Sequence, residues 1–130
     1  MADEIEMISA AKSVIASHEK LAAEGNLSNI VTNFSEDIVM LAANAPLVKG
    51  MESFKSFYSD LLAMGKWTFS HHYEGADVVG DSVQLYGVSR GELTVGGGDP
   101  DQFSNNFIIT VKDIDGKMMI WRAAFASATE

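Results

Sequence analysis

The residue pattern predicts an α+β domain, with helices gathered in the first half of the chain and an antiparallel sheet in the second. Three observations carry this. Apolar residues recur at three-and-four spacing over residues 3–24 and again over 51–62. After Gly65 the period changes to strict alternation, as a half-buried strand requires. Gly80-Asp81 and Asp115-Gly116 are two-residue turn signals, and with the longer Gly96-Gly97-Gly98-Asp99-Pro100 loop they divide the second half into four strands. A chain of 130 residues, 47% of them hydrophobic, is long enough for one domain with a real core and too short for two, so residues 1–130 are read as one domain.

The first helix, residues 3–24, sets Ile5, Ile8, Ala11, Ile15, His18, Leu21 and Ala22 on one face, with Glu6, Lys12, Ser13, Glu19 and Lys20 mostly elsewhere. Asp3 and Glu4 suit the positive end of the helix dipole, and Gly25 suits a C-cap. Asn26 or Ser28 then caps a short second helix carrying Leu27, Ile30, Val31 and Phe34. The stretch 36–62 organises the rest. Ile38–Leu41 and Leu47-Val48 read as two short strands around the Asn44-Ala45-Pro46 turn, where the missing N–H of Pro46 disturbs no ladder. Met51, Phe54, Phe57, Tyr58, Leu61 and Leu62 then form the apolar stripe of a third helix. Four strands follow at about 66–79, 82–95, 102–113 and 117–127, joined as sequential hairpins.

Charge and composition exclude several functions. The formal charge is −9 with a pI near 4.6, which argues against nucleic acid and anionic membranes, because phosphate binding rests on Lys and Arg. With no cysteine there is no disulfide, thiolate nucleophile or cysteine metal site. The opening MADEIEM is acidic where a secretory signal is basic and then apolar, and no run approaches a membrane span, so a cytoplasmic location is expected. The triple glycine lacks a following Gly-Lys-Ser/Thr and is no phosphate cradle, and no serine sits in a nucleophile elbow. No cofactor motif is present, and none is expected.

The candidate functional residues are polar groups on apolar faces. His18 interrupts the apolar face of the first helix, either as a core or interface histidine or as a donor and base. His71 alternates with Trp67, Phe69 and Tyr73 and faces the helices with them; adjacent His72 points the other way, so the pair cannot hold one metal ion. No metal site is expected. Phe103, Asn105 and Phe107 share a face of the third strand, and Trp121, Ala123 and Phe125 share one of the fourth. An aromatic box around one amide suits a flat, apolar ligand with one polar oxygen, although ordinary packing against the first helix gives the same pattern. Arg122 points outward with Tyr86, Val88 and Arg90, and the apolar part of that outer face predicts a homodimer through the sheet.

Phe34-Ser35-Glu36-Asp37-Ile38-Val39 and Val48-Lys49-Gly50-Met51-Glu52-Ser53-Phe54, with Glu24-Gly25-Asn26-Leu27 upstream and Trp121-Arg122-Ala123-Ala124-Phe125 near the end, resemble landmarks of the nuclear transport factor 2-like superfamily. This superfamily includes ketosteroid isomerases and SnoaL-like polyketide cyclases. The resemblance implies a cone-shaped, strongly curved antiparallel sheet wrapped around about three N-terminal helices and open at one end. It also implies that His18 stands where the isomerases place their oxyanion-binding tyrosine and Asn105 near their second aspartate, while their base falls on Ala42, which has no proton acceptor. In many SnoaL-like members an aspartate and an asparagine follow the arginine of the last strand, where this chain has Ala123 and Ala126.

The expectation is therefore a pocket for an apolar or aromatic organic molecule, either a cofactor-free acid/base isomerase or cyclase or a non-catalytic homodimeric binding or assembly module. His18 and Asn105 are its expected catalytic pair, with Tyr58, Trp67, His71, Phe103, Phe107, Trp121 and Phe125 shaping the pocket. A cone filled by its own side chains is the remaining alternative.

Overall fold

The computed structural model describes residues 3–128. Helix α1 runs over Glu4–Glu24, capped by Asp3, whose carboxylate accepts from the Glu6 N–H at 2.8 Å. Gly25, at φ 75°, turns the chain out of the helix while its N–H reaches the carbonyls of Leu21 and Ala22. The second helix is shorter than the periodicity predicts: α2 covers Leu27–Ile30, a 3₁₀ turn covers Val31–Asn33, and strand β1 begins at Phe34 and runs to Leu41. Strand β2 is Val48–Lys49, followed by α3 over Met51–Met64. The long strands are β3 (Lys66–Val79), β4 (Ser82–Thr94), β5 (Asp101–Ile114) and β6 (Lys117–Ser127), each within a residue or two of expectation.

These strands form one six-stranded sheet in the order β2-β1-β6-β5-β4-β3. The four long strands are the expected antiparallel meander, but β1 pairs with β6 in parallel, so the sheet is mixed rather than antiparallel throughout. The physical reason is connectivity: β1 and β6 are joined by the rest of the molecule rather than by a hairpin, so no tight turn imposes opposite directions. At Asp115-Gly116 both φ angles are positive, 54° and 88°, the conformation a type I′ hairpin demands.

Helix α1 packs across β3, β4, β5 and β6, while α3 packs on β1 and β2, so the inner face of the sheet wraps both helices. Ala11, Ile15, Phe34, Ile38, Phe54, Leu85, Val111 and Ile120 are buried between these layers. The helices do not fill the whole hollow. On β4 the inward positions beside α1 include Gly87, Ser89 and Gly91. A Cβ at Gly87 would strike the His72 carbonyl oxygen, and one at Gly91 would strike the Thr68 carbonyl and the Phe103 ring. Small residues here let the neighbouring strands curl closely while leaving space above them.

Candidate functional site

That space is a cavity of about 320 Å³ at one end of the hollow. Its walls come from every layer of the fold: His18 of α1; Phe57, Tyr58 and Leu61 of α3; Trp67, Phe69 and His71 of β3; Ser89 of β4; Phe103 and Asn105 of β5; Phe125 and Ser127 of β6. Met40 and the Ala42–Asn44 loop complete it, and at this rim the Asn44 amide donates to Ser127 Oγ at 3.4 Å.

The aromatic lining is ordered by mutual packing. Trp67 donates its indole N–H to the Leu61 carbonyl at 2.6 Å, which fixes the ring against the end of α3. It stacks on Phe69 at a centroid distance of 5.8 Å, and Phe103 meets both rings edge-on. The wall is thus an apolar surface of mutually packed rings.

Two polar pairs interrupt it. In the first, His18 Nε2 lies 3.4 Å from the Tyr58 hydroxyl. The His18 ring is enclosed by Phe34, Tyr58 and Phe69, and its accessible surface is cavity wall. Burial, assisted by the neighbouring His71 charge, drives its pKa down to about 3, so it is neutral at physiological pH. Its Nδ1 is buried without a hydrogen-bond partner. An unpaired lone pair is better tolerated in a core than an unpaired N–H, so the proton belongs on Nε2, where it is donated to Tyr58. That leaves the tyrosine O–H free to donate into the cavity. Burial also pushes Tyr58 above the range in which it ionises, which keeps it a donor.

In the second pair, His71 Nδ1 lies 2.7 Å from Glu19 Oε2. A carboxylate only accepts, so Nδ1 carries the proton and Nε2 carries the lone pair. Desolvation lowers the His71 pKa, and the Glu19 hydrogen bond and charge oppose that shift. The imidazole also stands edge-on to Phe107 at 5.0 Å.

Most of the expected site residues converge here. His18, Asn105, Tyr58, Trp67, His71, Phe103 and Phe125 all line the one cavity. His18 is present but too poor a proton acceptor, at a pKa of about 3, for the base role expected of it. Phe107 lies beneath the cavity as core, 4% exposed and in contact with His71 and Tyr73, rather than in its wall.

Trp121 is elsewhere altogether. The β5–β6 register slips between Thr110 and Val111, so that Thr110 faces Arg122 and Val111 faces Ile120, leaving Trp121 as the extra residue of a bulge. Ile120 and Ala123 both point inward, and Trp121 is turned outward with Arg122, whose guanidinium lies 3.8 Å over its ring. There it donates to Asp37 Oδ2 at 3.3 Å, which holds that carboxyl below its ordinary range.

Glu19, Ser89, Phe57 and Leu61 also belong to the site, though the sequence pattern alone does not mark them. Phe57 and Leu61 lie within the apolar stripe of α3, and Ser89 shares its inward face with two glycines. Glu19 flanks that face next to His18, and only the fold brings it to a histidine 52 residues away.

Ala42, which the resemblance sets at the isomerases' base position and which has no proton acceptor, lines the cavity with its methyl group. No helix among the described residues is long and apolar enough to cross a membrane.

No family profile matches the chain, and no curated protein matches it. Solved structures do. A candidate aromatic ring hydroxylase from Novosphingobium aromaticivorans superposes with a TM-score of 0.87 at 13% identity, covering 99% of this chain and 94% of that one. A ketosteroid isomerase-like protein from Erwinia carotovora atroseptica gives 0.79 at 10% identity, covering 98% and 100%. An NTF2-like protein with a cystatin-like fold, also from N. aromaticivorans, gives 0.74 at 18% identity, covering 95% and 82%. At these identities the likeness establishes the fold, which is nuclear transport factor 2-like.

Proposed function

We propose that the protein binds a compact apolar or aromatic organic molecule carrying one polar oxygen, held in the cavity between α1, α3 and the inner sheet face. The observation that carries this reading is a cavity of about 320 Å³ whose apolar walls are broken by a tyrosine donor, an amide and a histidine acceptor. The ring-hydroxylase and ketosteroid-isomerase-like descriptions of two structural neighbours accord with an aromatic or polycyclic guest. Tyr58 and Asn105 receive the ligand oxygen, while Trp67, Phe69, Phe103 and Phe125 clasp the rings. Acid/base turnover of the isomerase or cyclase type is compatible with such a pocket and needs no cofactor. The absence of cysteine suits a cytoplasmic setting.

Isothermal titration with 2-naphthol, a flat two-ring alcohol, tests the binding. Saturable heat is expected from the native protein, with its loss in Ala43→Trp, which places an indole at the rim. Equal binding by that variant would locate the ligand outside the cavity and refute the reading.

A second reading, a homodimeric binding or assembly module without turnover, draws on the outer sheet face. Tyr86 and Ile108 are 43% and 40% exposed, face each other across β4 and β5, and continue into Ala124 of β6. Such an apolar row is the natural place for a second copy of the sheet.

A further inference from the structure

We infer, resting on the cavity as the binding site, that Glu19 and His71 form a carboxylate–imidazole dyad whose free nitrogen removes an acidic C–H proton from the bound ligand. His71 is the catalytic residue of this pair and Glu19 its positioning residue. Ala42 offers only a methyl group to the cavity, so any proton acceptor must come from another wall. The other candidates are weaker. His18 has Nε2 committed to Tyr58 and Nδ1 sealed in the core, and Asn105 has no basic group.

The geometry of His71 meets the requirements of a general base. Its Nδ1 is tied to Glu19 at 2.7 Å, which selects the tautomer with the lone pair on Nε2 and supports the cation formed when that nitrogen takes a proton. Nε2 has no hydrogen-bond partner among the described residues, and the ring lines the cavity. Glu19 is half-buried at the outer edge of the pair, where solvent can exchange the proton. The groups facing His71 are Glu19 and neutral His18 from α1, His72 and Tyr73 from its own strand, Tyr58 across the cavity from α3, and the uncharged Ser89, Asn105 and Phe107 from β4 and β5. Burial keeps the imidazole unprotonated at neutral pH, so the base is present in its working form.

The chemistry can be tested without the natural ligand, using 5-nitrobenzisoxazole. His71 Nε2 takes the proton on C3, that electron pair closes the nitrile, and the N–O bond breaks. The oxygen leaves as a phenolate that accepts from the Tyr58 O–H. No other reactant is consumed, and the phenolate is coloured.

Saturable turnover is expected, with a pH–rate profile that rises to a plateau through a midpoint below 6.5. Glu19→Gln should move that midpoint to lower pH, since it removes the charge that favours imidazolium, and should lower the plateau. His71→Asn should lower the rate about a hundredfold, the usual weight of a general base. In the native protein, ¹⁵N shifts of His71 should show a protonated Nδ1 and a bare Nε2, a readout that does not depend on any variant folding.

Saturation of the native protein with a rate first order in hydroxide, or a midpoint unmoved by Glu19→Gln, would overturn the dyad and leave the pocket standing. Absence of saturation would overturn both.

Discussion

His18 and His71 both line the cavity, but they differ in their partners: enclosure keeps His18 neutral, whereas His71 is hydrogen-bonded to the Glu19 carboxylate. The His18 pKa, about 3 in the folded protein against 6.5 unfolded, makes the unfolded chain bind more protons between those values. Stability therefore rises with pH across that window and falls as the medium is acidified below 6.5. The loss attributable to His18 should reach up to about 2 kcal/mol between pH 6.5 and 5, before most carboxylates titrate. Urea midpoints over that range check it, and His18→Leu should flatten the slope. At Tyr58, replacement by Phe removes the donor while keeping the ring, so 2-naphthol affinity should fall about fivefold, equivalent to about 1 kcal/mol for one hydrogen bond, with little change in folding. His18 was legible in the sequence as a polar residue on an apolar face. The protonation state was not, because it depends on Phe34 and Phe69 closing around it from other elements.

The strands divide into parts that local pattern specifies and parts that only assembly specifies. Alternation places Trp67, Phe69, His71 and Tyr73 correctly on β3, because that stretch is regular as far as the slip between Tyr73 and Gly75. Alternation fails at Trp121, where the bulge adds one residue and reverses the side it faces, and nothing in the composition around Trp121 announces an extra residue. A consequence follows for mutants: Trp121→Leu should leave 2-naphthol affinity within about twofold, a change below 0.5 kcal/mol, whereas Phe125→Ala should weaken it severalfold. The parallel pairing of β1 with β6 was equally hidden, since the register of two strands some 80 residues apart is set by the packed core rather than by either segment. On β4, Gly87→Ala should destabilise the fold by about 1–3 kcal/mol, because its Cβ meets backbone rather than a side chain that can move. Denaturant midpoints measure this directly.

The molecule as a whole is a curved sheet with helices on its concave side, an acidic exterior and an open end lined by aromatic rings. Its charge of −9 disfavours polyanionic partners. The outer face bears on assembly: sedimentation velocity at micromolar concentration should show a dimer, and Ile108→Lys, which sets a charge in the apolar row, should return it to a 14.0 kDa species. A native protein that sediments at 14.0 kDa would remove the dimer and leave the cavity untouched. Whether this cavity is a binding site is best settled by a crystal structure with 2-naphthol. The naphthyl rings are expected between Trp67, Phe103 and Phe125, with the hydroxyl in hydrogen-bonding reach of Tyr58, Asn105 or His71. An empty cavity at saturating 2-naphthol, or one closed by its own side chains, would contradict a binding role.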